Sequence, residues 1–292
     1  MVWTLECSYD KQAAVNNVNA LRQEIADAVA NHRRAIVPAG VYRLDCYNLP
    51  GGVAIEINDD VTIKGAGRSV TVLRVGPDLL TTATTLFYIH PGKKVQFEDL
   101  TIEGPPYLAG SKPDGSDATD CTGIYHEGGG ELKLKNVTLH AWHHCIKADE
   151  LPKTTPGNKQ GSQLSFTDCL IGGRSVGLLQ FEGDSLHPAS LAMENCLFAH
   201  DANAYIGHHH NLYIAEGVDM TFRHCHWTRS VDYGVTMYGG RARAPIHQPL
   251  FEYCTFDGAV FRALQTNKRT KTIIRNCIFR NPQAGALQIT LS

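Results

Sequence analysis

From residue 97 onward, short apolar strands recur around an asparagine, an aspartate or an aromatic residue. They read FEDLTI (97–102), LKNVTL (134–139), FTDCLI (166–171), MENCLF (193–198), FRHCHW (222–227), FEYCTF (251–256) and IRNCIF (274–279). The shared pattern is apolar, any, polar or aromatic, Cys or aliphatic, any, apolar. Cys169, Cys196, Cys225, Cys254 and Cys277 follow one another at intervals of 27, 29, 29 and 23 residues, about one solenoid coil each. Side chains two apart on a strand share a face, so Phe222 and Trp227 cannot belong to one strictly alternating face. A bend beside the cysteine is therefore expected, and strand–bend–strand coils stack each residue on its counterpart one coil away. The five thiols would then line the interior as packing groups, since unpaired cysteine is among the most buried residue types. Cys7, Cys46, Cys121 and Cys145 stand outside this column and receive no role.

Residues 12–30 switch to a helical period, with Val15, Val18, Leu21, Ile25 and Val29 on one face. Such an amphipathic helix would close the N-terminal end of the solenoid, whose first coil otherwise opens its core to water. RAIVPAGVYRL (34–44) and VTIKGAGRSVTVLRV (61–75) read as glycine-punctuated strands. The expectation is one all-β solenoid domain over 1–292, with a cap helix at 12–30 and coils over about 34–291. The stretches 104–122 and 151–162, rich in Gly, Pro, Ser and Thr, read as loops that wall a groove.

The cysteines also set a phase for the next strand. Eleven and thirteen residues beyond them lie Gln180 and Glu182, Gly207 and His209, Thr236 and Tyr238, Gln265 and Asn267, and Gln288 and Thr290. Leu179, Phe181, Val235, Met237, Leu287 and Ile289 alternate with these and should point inward, leaving the polar set outside as a ladder. Glu182, His209, Tyr238 and Asn267 form the leading candidate site. The same coils carry Asp184, His208, His210, Tyr213, Glu216, Asp232, Arg241, Arg243 and Lys268. Within GHHHNLYIAEG (207–217) the histidines could supply a base, a sugar contact, or a metal site of His208 and His210 with His224 and His226. HAWHHCIKADE (140–150), with His140, His143, His144, Lys147 and Asp149, reads as a loop edge.

A formal charge of −2 and a pI near 6.7 leave no basic field of the kind that holds nucleic acid. With 43% hydrophobic and 19% charged residues the chain should be ordered and not spread as a disordered tail. MVWTLECSYDKQ lacks an export signal, and no apolar run is long enough to span a bilayer, so cytoplasmic synthesis is expected, with use on a virion or as a released enzyme left open.

The cap helix followed by IVPAGVYRL, the segment VTIKGAGRSVTVL and the NCxF coils together resemble the pectate-lyase-like superfamily of right-handed parallel β-helices over nearly the whole chain. That resemblance implies the fold. It leaves the reaction open, because this architecture hosts lyases, hydrolases, epimerases and non-catalytic sugar binders. The motif set of polygalacturonases is absent, and RARAP (241–245) does not reproduce the arginine motif of pectate lyases. QTNKRTKTIIRNCIFRN (265–281) looks like the lysine-bearing coil of chondroitinase-B-like lyases and puts Lys268 forward as a base.

The resulting expectation is a carbohydrate-active enzyme on an acidic poly- or oligosaccharide, with β-elimination ahead of hydrolysis or epimerisation. His209, Tyr238, Lys268, Glu182 and Asp232 are the catalytic candidates. Arg241, Arg243, His208, His210, Tyr213, Asn267 and Gln265 are the substrate-binding ones. No cofactor is called for, with Ca2+ and a metal at His208, His210, His224 and His226 left open. A monomer without nucleic-acid or membrane partners is expected. The alternatives are a trimeric, non-catalytic phage receptor-binding β-helix and a cytoplasmic isomerase or cyclase on a small molecule.

Overall fold

A computed structural model describes residues 3, 11–44, 52–75, 85–104, 122–142, 144–148, 161–173, 179–181, 189–200, 210–214, 218–228, 233–237, 249–258, 262–267, 271–281 and 285–290. Every strand pairing among them is parallel, and the strands wind as a right-handed β-helix of nine coils with three walls.

Wall I stacks β1 (Ala35–Ile36), β4 (Val61–Lys64), the first half of β7 (Lys94–Glu103) and the first half of β9 (Glu131–Trp142). It continues through β11 (Gln163–Thr167), β14 (Ala189–Glu194), β17 (Val218–Arg223), β20 (Leu250–Glu252) and β23 (Ile273–Arg275). Wall II stacks β2 (Gly40–Leu44), β5 (Thr71–Val75), the second halves of β7 and β9, β12 (Leu170–Gly173), β15 (Leu197–His200), β18 (His226–Thr228), β21 (Thr255–Asp257) and β24 (Ile278–Arg280). Wall III is a separate sheet of β3 (Val53–Ile57), β6 (Thr85–Ile89), β8 (Thr122–His126), β10 (His144–Ala148), β13 (Leu179–Phe181), β16 (His210–Ile214), β19 (Tyr233–Met237), β22 (Arg262–Asn267) and β25 (Leu287–Thr290).

The expected bend is a column of left-handed residues between walls I and II. Asp99, Asn136, Asp168, Asn195, His224, Tyr253 and Asn276 all have φ between 53° and 56°. Asn and Asp accept this conformation more readily than other non-glycine residues, which explains why the repeat carries them there. The bend reverses strand parity, so Phe222 and Trp227 both point inward. Replacing Asn195 by Ala should cost about 1 kcal/mol in urea unfolding, whereas Asn195→Gly should be near neutral.

Directly after the bend, Cys169, Cys196, Cys225 and Cys254 are buried, and Cys277 on the last coil is half-buried. Their thiols lie against backbone carbonyls, as where Cys225 Sγ sits 3.3 Å from Arg223 O. Cys145 is also buried, at the start of β10, its Sγ 3.2 Å from Gly172 O. Cys7, Cys46 and Cys121 lie outside the described residues.

Wall II presents an aromatic stack to the interior. Phe198 lies on Trp227 at 5.3 Å, Trp227 on Phe256 at 4.7 Å and Phe256 on Phe279 at 4.8 Å, all within 8° of coplanar. On wall III the interior column that holds Ile89 and Ala148 places His126 between them, fully buried. Its Nδ1 lies 3.1 Å from Ser162 Oγ, and burial pushes its pKa down to about 4.

The N-terminal end is closed by α1 (Lys11–Ala30), one residue longer than expected. Its buried stripe is Ala14, Val18, Leu21, Ile25 and Ala28, and Val15 and Val29 are half-buried at its margin. Polar side chains on the helix satisfy the exposed edge of the first coil. Asn17 Nδ2 donates to Arg43 O at 3.0 Å, Arg22 Nε donates to Ala54 O at 2.8 Å, and Glu24 accepts from Ile36 N at 2.8 Å. One continuous apolar core runs from Val18 to Leu264. Among the described residues, no helix is long and apolar enough to cross a membrane.

Candidate functional site

Parallel register makes every wall a set of columns, and one column of wall III collects chemistry. It runs Glu56, Tyr88, Tyr125, Lys147, Gln180, Tyr213, Thr236, Gln265 and Gln288. The alternating partners Ile55, Phe87, Ile124, Ile146, Leu212, Val235 and Leu264 are buried, so Glu56, Tyr88, Tyr125, Lys147, Tyr213, Thr236 and Gln265 lie on the outer face. At ~4.8 Å per strand it extends roughly 38 Å, long enough for several sugar units.

At its N-terminal end the side chains are interlocked. Tyr88 stacks on Tyr125 with ring centroids 5.3 Å apart and planes 5° apart, and Lys147 Nζ lies 5.7 Å from the Tyr125 centroid. The Tyr88 hydroxyl donates to Glu127 Oε2, and the His90 ring meets Tyr88 edge-on at 4.9 Å. His90 Nε2 sits 3.4 Å from Glu56 Oε2. Burial first, and then the bond to Glu127, raise the Tyr88 pKa, so its phenol stays protonated. Further along, Tyr213 and Gln265 are half-buried, while Thr236 between them is only 2% exposed. Contacts for a ligand therefore come from the residues on either side of Thr236 and not from Thr236 itself.

Of the residues anticipated from sequence, Tyr213 and Gln265 come together in this column. Backbone pairing places Asn267 beside Thr290 and His210 beside Tyr233. Glu182, Asp184, His208, His209, Glu216, Asp232, Tyr238, Arg241, Arg243 and Lys268 lie outside the described residues, as do His143 and Asp149.

Two placements need correction. The residue beside Gln180 and Thr236 is Tyr213, seventeen residues after Cys196, and not Gly207 at eleven. The connection from β15 to β16 is longer than its counterparts and the one from β16 to β17 is shorter, so cysteine spacing conceals the shift. The three described members of the proposed histidine quartet also divide between walls. His224 occupies the left-handed bend and stacks on Tyr253 at 5.1 Å, and His226 opens β18 on wall II, whereas His210 opens β16 on wall III. Among the described residues, no group of three or more His, Cys, Asp and Glu side chains converges on a metal position.

Sequence reasoning missed the N-terminal half of the column. HCIKA (144–148) is not a loop edge but β10, with Lys147 on the outer face. His140, from the same stretch, lies on wall II, 3.8 Å from Glu103 Oε2, which Arg74 also holds at 3.0 Å. The available signal was the alternation in TLFYI (85–89), TGIYH (122–126) and HCIKA, the same inside–outside pattern as later coils. Leu100 and Val137 stand at the cysteine position there, so the thiol column gave no phase.

No family model matches the chain, and no curated protein matches it in sequence. Solved structures do. The catalytic domain of Agl-KA superposes with a TM-score of 0.60 over 99% of this chain and 51% of that one, at 16% identity. The A-module of mannuronan C-5 epimerase AlgE4 from Azotobacter vinelandii superposes with a TM-score of 0.50 over 94% of this chain and 77% of that one, at 13% identity. This chain spans about half the length of the Agl-KA domain. At these identities the likeness establishes the shared parallel β-helix fold.

Proposed function

We propose that the outer face of wall III binds an acidic poly- or oligosaccharide and that the chain cleaves it by β-elimination. The observation that carries this reading is the single register column of wall III, in which Tyr88, Tyr125, Lys147, Tyr213 and Gln265 share one line over several sugar lengths. Elimination suits such a wall. A cation neutralises the uronate carboxylate and acidifies the carbon bearing it; a base takes that proton; the electron pair forms the new C=C bond as the glycosidic C–O bond breaks; and the departing oxygen receives a proton. Lys268, His209 and Tyr238 are the proposed bases, and Arg241 and Arg243 the proposed carboxylate partners, with Tyr213, Gln265 and Asn267 contacting sugar hydroxyls.

The named reaction of the AlgE4 neighbour, C-5 epimerisation of mannuronan, is compatible with this choice. It inverts the carbon that bears the uronate carboxylate, and loss of that carbon's proton also begins an elimination. Uronate polymers incubated with the protein should develop the ultraviolet absorbance of an unsaturated product, and Lys268→Ala should lower the rate by at least a hundredfold. A flat trace with every uronate polymer would remove the lyase reading.

A further inference from the structure

The chemistry of the column is not uniform along its length, and the gradient has a direction. Glu56 begins it, with Glu127 alongside, and each carboxylate already has a neighbour in hydrogen-bonding reach: His90 for Glu56 and the Tyr88 hydroxyl for Glu127. Beyond Tyr125 the column carries no acid, and Lys147 is its one cation among nine residues. An anionic chain laid along this wall would be repelled at the Glu56–Glu127 end and attracted at Lys147.

Lys147 is also held in place for such a role. It is half-buried, its Nζ lies 5.7 Å from the Tyr125 ring centroid, and the Tyr88–Tyr125 stack backs that ring. An ammonium packed on an aromatic face has three N–H donors, and those directed away from the ring plane or along its edge let a carboxylate join its other partners without displacing the ring.

We propose that Lys147, braced by Tyr125, is a second carboxylate-binding subsite of wall III, in addition to the one assigned to Arg241 and Arg243. A uronate ring would sit over β10 and β13, with the rest of the saccharide running away from Glu56 toward Gln265. This assignment depends on the saccharide-binding reading above and fixes where one uronate ring sits within it.

The test is calorimetric binding of the intact protein to oligogalacturonate, oligomannuronate and a neutral oligoglucan. Lys147→Gln should weaken uronate binding about 10- to 100-fold, the loss expected for one charged hydrogen bond, while leaving the neutral glycan's affinity and the melting temperature unchanged. Lys147→Arg should restore most of the uronate affinity. Lys133→Gln, which removes a charge from wall I, should not change it. If the parent binds or turns over a uronate and Lys147→Gln does so equally well, the subsite is overturned while the saccharide-binding reading survives. If the parent binds no uronate at all, both fall.

Discussion

Trp227→Ala should destabilise the protein by about 3–5 kcal/mol, measured by urea unfolding. The indole is 1% exposed, lies in the wall II stack between Phe198 and Phe256, and meets Phe222 at 5.5 Å and Phe251 at 6.0 Å edge-on. Truncation would open a cavity between two aromatic faces that cannot close on each other, because the parallel register above and below fixes their spacing. Trp227→Phe should behave quite differently. The buried indole Nε1 has no hydrogen-bond partner among the described residues, so phenylalanine loses some contact area but also removes an unsatisfied donor. A cost below about 1 kcal/mol is expected for that variant. Since coils couple mainly to their neighbours, the alanine variant should unfold its surrounding coils before those next to α1.

Acidification should weaken the fold well above the range where carboxylates titrate. His126 titrates near 6.5 when unfolded and near 4 when buried in wall III, so between those values the unfolded chain holds a proton that the folded chain does not. Stability is therefore complete above about pH 6.5, falls as pH drops toward 4 and then levels, a loss of roughly 3 kcal/mol with about 2 kcal/mol gone by pH 5. Carboxylates such as Asp99, held low first by the Lys64 ammonium, and Glu24, held low first by the Arg33 guanidinium, lose their contribution at lower pH. Thermal unfolding between pH 7 and pH 5 isolates the histidine. His126→Leu should flatten the profile in that window, and an unchanged slope would show that the imidazole is not the group responsible.

The solenoid was legible in the sequence because its bend is chemically marked. Asp99, Asn136, Asp168, Asn195 and Asn276 sit where the backbone turns left-handed, and a small thiol or aliphatic group follows each one. The cap helix was legible from its period, although its buried stripe is centred on Ala14, Val18 and Leu21 and leaves Val15 and Val29 at the edge. Phase on wall III was only partly legible. It held where the connection from the thiol to the next strand keeps one length, as at Gln180, Thr236 and Gln265, and failed at Tyr213, where a longer corner is offset by a shorter one. Tyr88, Tyr125 and Lys147 were hidden for another reason. Strand alternation marks which residues share a face, but only backbone pairing brings three separate coils onto one line. Histidine-rich composition drew attention to His224 and His226, which the left-handed bend turns onto other walls.

The central claim, that wall III carries the saccharide, is tested most directly by amide hydrogen exchange of the intact protein with and without oligogalacturonate or oligomannuronate. The account predicts slowed exchange along β8, β10, β16 and β22, whose outer side chains are Tyr125, Lys147, Tyr213 and Gln265, with walls I and II unchanged. Protection confined to the corner between walls I and II, around His224 and Tyr253, would contradict it.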